Sequence, residues 1–89
     1  MTNTWKIIVN GLQLRLVNNL ISGTKLYING KSANLKLKVT ENRENYSVSL
    51  DKLGDIVISK ITSTIGQELR MYVKQNGCQK LILSRQLAH

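Results

Sequence analysis

The chain contains no proline and no phenylalanine, and it has a single cysteine among its 89 residues. One cysteine, Cys78, cannot form an intrachain disulfide, so nothing in the sequence favours an oxidising compartment. Aromatic residues make up only 4% of the chain, and Trp5 is the one tryptophan. A hydrophobic core therefore has to be built mainly from leucine, isoleucine and valine.

Residues that carry chemistry are equally scarce. The only histidine, His89, is the last residue, and one histidine with one cysteine cannot supply a tetrahedral metal site. Acid–base catalysis usually needs a histidine or carboxylates in contrasting environments, whereas Asp51 and Asp55 flank a predicted turn, where aspartate is favoured. The common catalytic and phosphate-loop motifs do not occur. We expect a protein that is not an enzyme and that has no cofactor or metal.

Long hydrophobic runs are missing too. The longest, such as residues 7–9 and 56–58, fall far short of the roughly 20 apolar residues that span a membrane. Residues 1–6 do not show the charged segment followed by an apolar stretch that marks a signal peptide. The sequence therefore predicts no membrane span and a cytoplasmic location.

Acidic residues are outnumbered by basic ones. Five Asp and Glu face 13 Lys and Arg, which gives a net charge of +8, and the first forty residues hold no acid at all. Such a balance favours an anionic partner: nucleic acid, an acidic protein or a membrane surface. The alternative is that the lysines only protect sheet edges and outer faces from association.

What the sequence does contain is three Asn-Gly pairs, each set between runs of alternating apolar residues: Asn10-Gly11, Asn29-Gly30 and Asn76-Gly77. A two-residue hairpin turn of type I′ needs a positive φ at both central positions, which Asn and Gly tolerate. Asn-Gly between alternating segments is therefore a strong hairpin signal.

The alternation between these turns predicts seven or eight short strands. The candidate strands are residues 5–9, 12–17, 24–28, 33–40, 46–50, 55–61, 67–74 and 79–84. Strands of this length and spacing predict a single all-β domain over residues 1–89, an antiparallel β-sandwich or small barrel.

The basic residues give the best functional hypothesis. The alternation places Lys6, Lys80 and two tyrosines, Tyr27 and Tyr72, at outward positions together with most of the cations. A positive sheet with exposed aromatic rings is typical of proteins that bind nucleic-acid strands. The candidate site for nucleic acid or another anion is Arg15, Lys36, Lys38, Arg70, Tyr72 and Lys74. These residues form one patch only if they share one sheet.

A second hypothesis is a protein-interaction or scaffold domain. It would bind through an apolar patch or an exposed strand edge, for instance as a homodimer. Ile8, Val17 and Ile82 are out of phase with the predicted core and are candidate contact residues.

Residues 5–31 resemble the start of the Fas apoptotic inhibitory molecule family. That family opens with a Trp-bearing strand, a turn, a second alternating strand, a Ser-Gly bend and a strand ending in Tyr-Val-Asp-Gly-Lys. The matching features here are Trp5, Asn10-Gly11, Ser22-Gly23 and the segment 27–31, Tyr-Ile-Asn-Gly-Lys. The resemblance implies a compact, non-enzymatic β-sandwich that acts through protein contacts.

Overall fold

A computed structural model describes residues 2–87, and His89 lies outside that range. The described residues form nine strands and no helix, and all pairings between neighbouring strands are antiparallel. The all-β prediction is thus confirmed. None of these residues belongs to a helix with the length and apolar character that crossing a membrane requires. The strands are β1 Thr2–Val9, β2 Leu12–Asn19, β3 Gly23–Ile28, β4 Lys31–Ser32, β5 Lys36–Val39, β6 Arg43–Leu50, β7 Gly54–Ser63, β8 Gly66–Gln75 and β9 Cys78–Leu87.

The Asn-Gly hairpins have the predicted backbone. Asn10, Asn29 and Asn76 have φ values of 48°, 49° and 52°, and the glycine that follows each of them also has a positive φ. This pair of left-handed residues matches the twist of the two strands that the turn connects. The turns therefore join β1 to β2, β3 to β4 and β8 to β9.

The strands form two open sheets, and neither closes into the small barrel that was one of the two expected architectures. The first sheet has the order β1-β2-β3-β4 and the second β5-β6-β7-β8-β9. The strand predicted at residues 33–40 is wrong, because the chain passes from one sheet to the other at that point. β4 pairs with β3, whereas β5 pairs with β6, which raises the strand count to nine. The chain divides into two compact units at the same place, after Leu35.

The first sheet has one apolar face. Leu14, Leu16 and Leu26 are fully buried there, and Trp5, half-buried, lies opposite Leu16. At one end of this face the chain buries a polar pair, in which the hydroxyl of Thr24 donates a hydrogen bond of 3.1 Å to Asn18 Oδ1. The side chains at the alternate positions of β1, β2 and β3, such as Lys6, Arg15 and Tyr27, lie on the other face.

The second sheet also has one apolar face and one polar face. The buried residues of its apolar face include Ile56, Ile58, Leu69, Met71 and Val73. The registers of β5 to β8 are regular, so the side chains of these strands alternate between the two faces as the sequence predicts.

A β-bulge in β9 changes the alternation there. Met71 pairs with Leu83 but Tyr72 pairs with Leu81, so Ile82 is the extra residue. Lys80 therefore lies opposite Val73, on the apolar side of the sheet, and its predicted place on the outer face is wrong. The bulge also explains why Ile82 is out of phase with the core.

Two apolar residues that alternate with Lys36 and Lys38 are exposed. Leu37 and Val39 are 55% and 62% exposed, because β5 is an edge strand of only four residues. They share a face with the buried core residues but lie at its margin.

Candidate anion-binding site

The strand registers place most of the predicted site on the polar face of the second sheet. One row across the sheet runs Lys36, Ser47, Val57, Tyr72, Leu81, and the next runs Lys38, Asn45, Ser59, Arg70, Ser84. Lys74 lies beyond the first row, opposite Asp55. Five of the six candidate residues therefore share one face: Lys36, Lys38, Arg70, Tyr72 and Lys74.

Arg15, the sixth candidate, lies on the first sheet. It pairs with Lys6 on β1 and Tyr27 on β3, and its guanidinium carbon lies 4.1 Å above the centroid of the Tyr27 ring. A cation over an aromatic face is a favourable contact in itself. Arg15 is thus separate from the other five, because residues 33–35 carry the chain to another sheet.

This face carries one cation that the candidate residues do not include. Arg43 falls between the predicted strands 33–40 and 46–50, but it begins β6 and pairs with Ile61. Extending the alternation of Tyr46, Val48 and Leu50 backward would have placed Arg43 and Asn45 on the polar face. The face then carries five cationic side chains and two acidic ones, Asp55 and Glu68.

The centre of the polar face is an open depression of about 340 Å³. Its floor consists of short side chains from β6 and β7, and longer side chains from the strands on either side surround it. Ser59, 2% exposed, donates its hydroxyl hydrogen to Asn45 Oδ1 over 2.6 Å, which fixes two floor residues. The lining residues are Lys38, Arg43, Asn45, Ser47, Val57, Ser59, Tyr72, Lys74 and Gln79.

Arg70 is held by its neighbours on β8. Its Nη2 lies 2.8 Å from Oε1 of Glu68, and its Nη1 donates to the hydroxyl oxygen of Tyr72 over 3.4 Å. The hydrogen bond to Tyr72, then the hydrogen bond and charge of Glu68, raise the pKa of Arg70 above its ordinary value. The charge of Arg70 is therefore directed toward a carboxylate.

The cations around the depression, unlike Arg70, form no ion pair with a carboxylate of the described residues. Across residues 2–87 the one ion pair is Arg70–Glu68, so Lys38, Arg43 and Lys74 face the depression without a carboxylate partner. Asp55, the acid nearest to Lys74 in register, accepts a hydrogen bond of 2.8 Å from the Ser49 hydroxyl. The depression thus combines three unpaired positive charges with hydroxyl and amide groups, a set suited to holding an anion.

Other chemistry-bearing groups lie apart from this depression. Cys78 is a free, exposed thiol in the last hairpin. Within the described range 2–87, no three His, Cys, Asp or Glu side chains are close enough to hold a metal ion.

Comparison with family models, curated proteins and solved structures finds no match to this chain.

Proposed function

We propose that this protein is a non-catalytic binding module that engages an anionic partner, with nucleic acid the first candidate, through the polar face of its second sheet. The observation that carries the proposal is the depression in which Lys38, Arg43 and Lys74 meet without a carboxylate partner. Nucleic acid fits this arrangement because its phosphates are regularly spaced anions that attract lysine and arginine at every step.

Electrostatics and shape support the same conclusion. Cations that form no ion pair on an exposed face attract polyanions over about 8 Å at physiological salt. The neutral floor of Asn45, Ser47 and Ser59 offers hydrogen-bonding groups to the same ligand. Tyr72 adds an aromatic ring at the rim, and rings are the groups on which unpaired bases stack.

The test is a titration of fluorescently labelled RNA and DNA followed by anisotropy, with charge-reversed variants. The double variant K36E/K38E removes two cations from the face, and K31E/K80E makes the same change in charge at β4 and on the other side of the second sheet. Loss of binding in the first variant and retention in the second is expected. Equal loss in both would show that net charge alone drives binding, and no loss in either would refute the assignment.

A protein-interaction role is the second candidate. It is favoured by the edge strand β5, where Leu37 and Val39 are exposed on one side of the strand and Lys36 and Lys38 on the other. An exposed edge with apolar side chains can pair with a second chain. A role in protein contacts is also what the resemblance to the Fas apoptotic inhibitory molecule family implies.

Light scattering after size-exclusion chromatography distinguishes this candidate. A homodimer that forms through Leu37 and Val39 is expected to persist at high salt and to dissociate in an L37K/V39K variant. A monomer at all salt concentrations would remove the homodimer from consideration.

A single-domain β-sandwich in the cytoplasm is part of the proposal. Each sheet has a face of aliphatic side chains that is closed to water, such as Leu16 and Leu26 in the first and Ile58 and Met71 in the second. Packing apolar faces together is what the sandwich architecture achieves.

A further inference from the structure

We propose that the ligand of the depression is a single, unpaired nucleic-acid strand that lies along β6 and β7, with one base against the ring of Tyr72. This inference rests on the proposed function and names the form of its ligand. It follows from three features of the polar face: the position of the short side chains, the width of the sheet, and the place of Tyr72 in the lining of the depression.

The short side chains form a short channel parallel to the strands, two residues long on each strand, with Arg43 at one end and Asp55 at the other. Asn45 and Ser47 on β6, and Val57 and Ser59 on β7, lie between the long side chains of β5 and those of β8. The strands β5 and β8 are three strand spacings apart, which is about 14 Å. The channel has lysines on both sides, so one phosphate backbone between them has cations within reach to either side.

The width of the sheet argues against a duplex. Five strands extend over about 19 Å, whereas the major groove of DNA is about 12 Å wide and admits a helix or a two-stranded ribbon. A duplex could touch the tips of the surrounding lysines, but its stacked bases could not reach the floor. A single strand is narrow and flexible enough to enter.

Tyr72 is positioned to take an unpaired base. It lines the depression, its hydroxyl oxygen accepts a hydrogen bond from Arg70, and Glu68 in turn holds Arg70. The hydroxyl group is thus engaged by Arg70, and Tyr72 is one of the residues that line the depression. Because Arg70 is paired with Glu68, the phosphates are left to Lys38, Arg43 and Lys74.

The experiment compares one labelled strand of about 20 nucleotides, which exceeds the usual site size of single-strand binders, with the same strand annealed to its complement. Wild-type protein is expected to bind the single strand at least about tenfold more tightly at about 0.1 M salt. Stacking contributes about 1–3 kcal/mol per base, so the Y72A variant is expected to lose about fivefold or more in affinity for the single strand. The Y72F variant keeps the ring and is expected to bind within about twofold of wild type.

The outcomes separate this inference from the function on which it rests. Equal affinity for the single strand and the duplex would refute the single-strand site, and so would a Y72A variant that folds and binds the single strand normally. If the K38E variant still lowers binding in either case, the proposed function stands. A Y72F variant as weak as Y72A would assign the contribution to the hydroxyl and also refute stacking. Absence of binding to either form at low salt would refute the proposed function itself. The comparison of single strand with duplex needs only wild-type protein, so it tests the single-strand site even if Y72A does not fold.

Discussion

Arg70 and Glu68 lie two residues apart on β8, and Nη2 of Arg70 is 2.8 Å from Oε1 of Glu68. Their side chains share the polar face because residues at i and i+2 of a strand point to the same side. The pair divides the basic residues of this face into two kinds. Arg70 is balanced by a carboxylate, whereas the cations around the depression are not.

Removing the carboxylate of Glu68 should strengthen anion binding. An E68Q variant keeps a group that can accept the hydrogen bond from the Ser84 hydroxyl, now 3.2 Å long, but it leaves the charge of Arg70 unbalanced. Affinity for a labelled strand is expected to rise a few-fold at low salt and less at high salt, because screening weakens the effect of an exposed charge. A decrease in affinity would mean that the position of Arg70 matters more than its charge.

The salt dependence of the binding constant should report the number of phosphate contacts. For single strands the slope of log K against log salt is about −0.7 per neutralised phosphate, so contacts to Lys38, Arg43 and Lys74 predict about −2. Each of K38Q, R43Q and K74Q is expected to reduce the magnitude of that slope by about 0.7. K80Q, on the other side of the sheet, serves as the matched control with an unchanged slope.

Replacing Gly54 by alanine should destabilise the second sheet strongly. Gly54 has a φ of 88°, and a Cβ at this position would overlap the backbone carbonyl oxygen of Lys74. Gly77 has a similar φ of 77°, but no atom lies within 4 Å of such a Cβ. The G77A variant therefore measures the cost of a positive φ without a steric clash. Urea unfolding is expected to show a loss of about 1 kcal/mol for G77A and at least about 2–3 kcal/mol for G54A. Similar losses in both variants would show that the Lys74 carbonyl moves away.

The buried polar pair of the first sheet gives a test that leaves the polar face of the second sheet untouched. Asn18 and Thr24 are 3% and 8% exposed, and the hydroxyl of Thr24 is the donor to Asn18 Oδ1. The T24V variant leaves that oxygen without a donor and is expected to lose about 1–3 kcal/mol of unfolding free energy. Replacing both residues, in N18L/T24V, should restore part of the loss, since a fully apolar pair leaves no unpaired group. Ligand affinity should stay unchanged in both variants.

The sequence predicted the hairpins and the polar face well, because both depend on local patterns. Asn-Gly turns need a backbone that few other residues adopt, and strict alternation fixes which side of a strand a residue occupies. The alternation alone therefore predicts the outer side of the sheet for five residues, Lys36, Lys38, Arg70, Tyr72 and Lys74.

The errors come from features that alternation does not record. Residues 33–40 alternate without interruption through Leu35, Leu37 and Val39, so nothing marks the change of sheet that separates Arg15 from the other candidates. The bulge lies inside the continuous apolar run 81–83, so the out-of-phase Ile82 is interpreted as a contact residue rather than as an insertion. The strand position of Arg43 is not evident from the apolar residues alone, because the segment 41–45 has no apolar residue that would mark the start of a strand.

The most direct test of the binding face is a two-dimensional ¹H–¹⁵N NMR titration of the labelled protein with an unlabelled single strand. Amide shifts are expected to change at Lys38, Arg43, Asn45, Ser59, Tyr72 and Lys74. Little change is expected at Lys6, Arg15 and Tyr27 on the first sheet. Shifts concentrated on the first sheet, or spread evenly over all lysines, would contradict the proposed site.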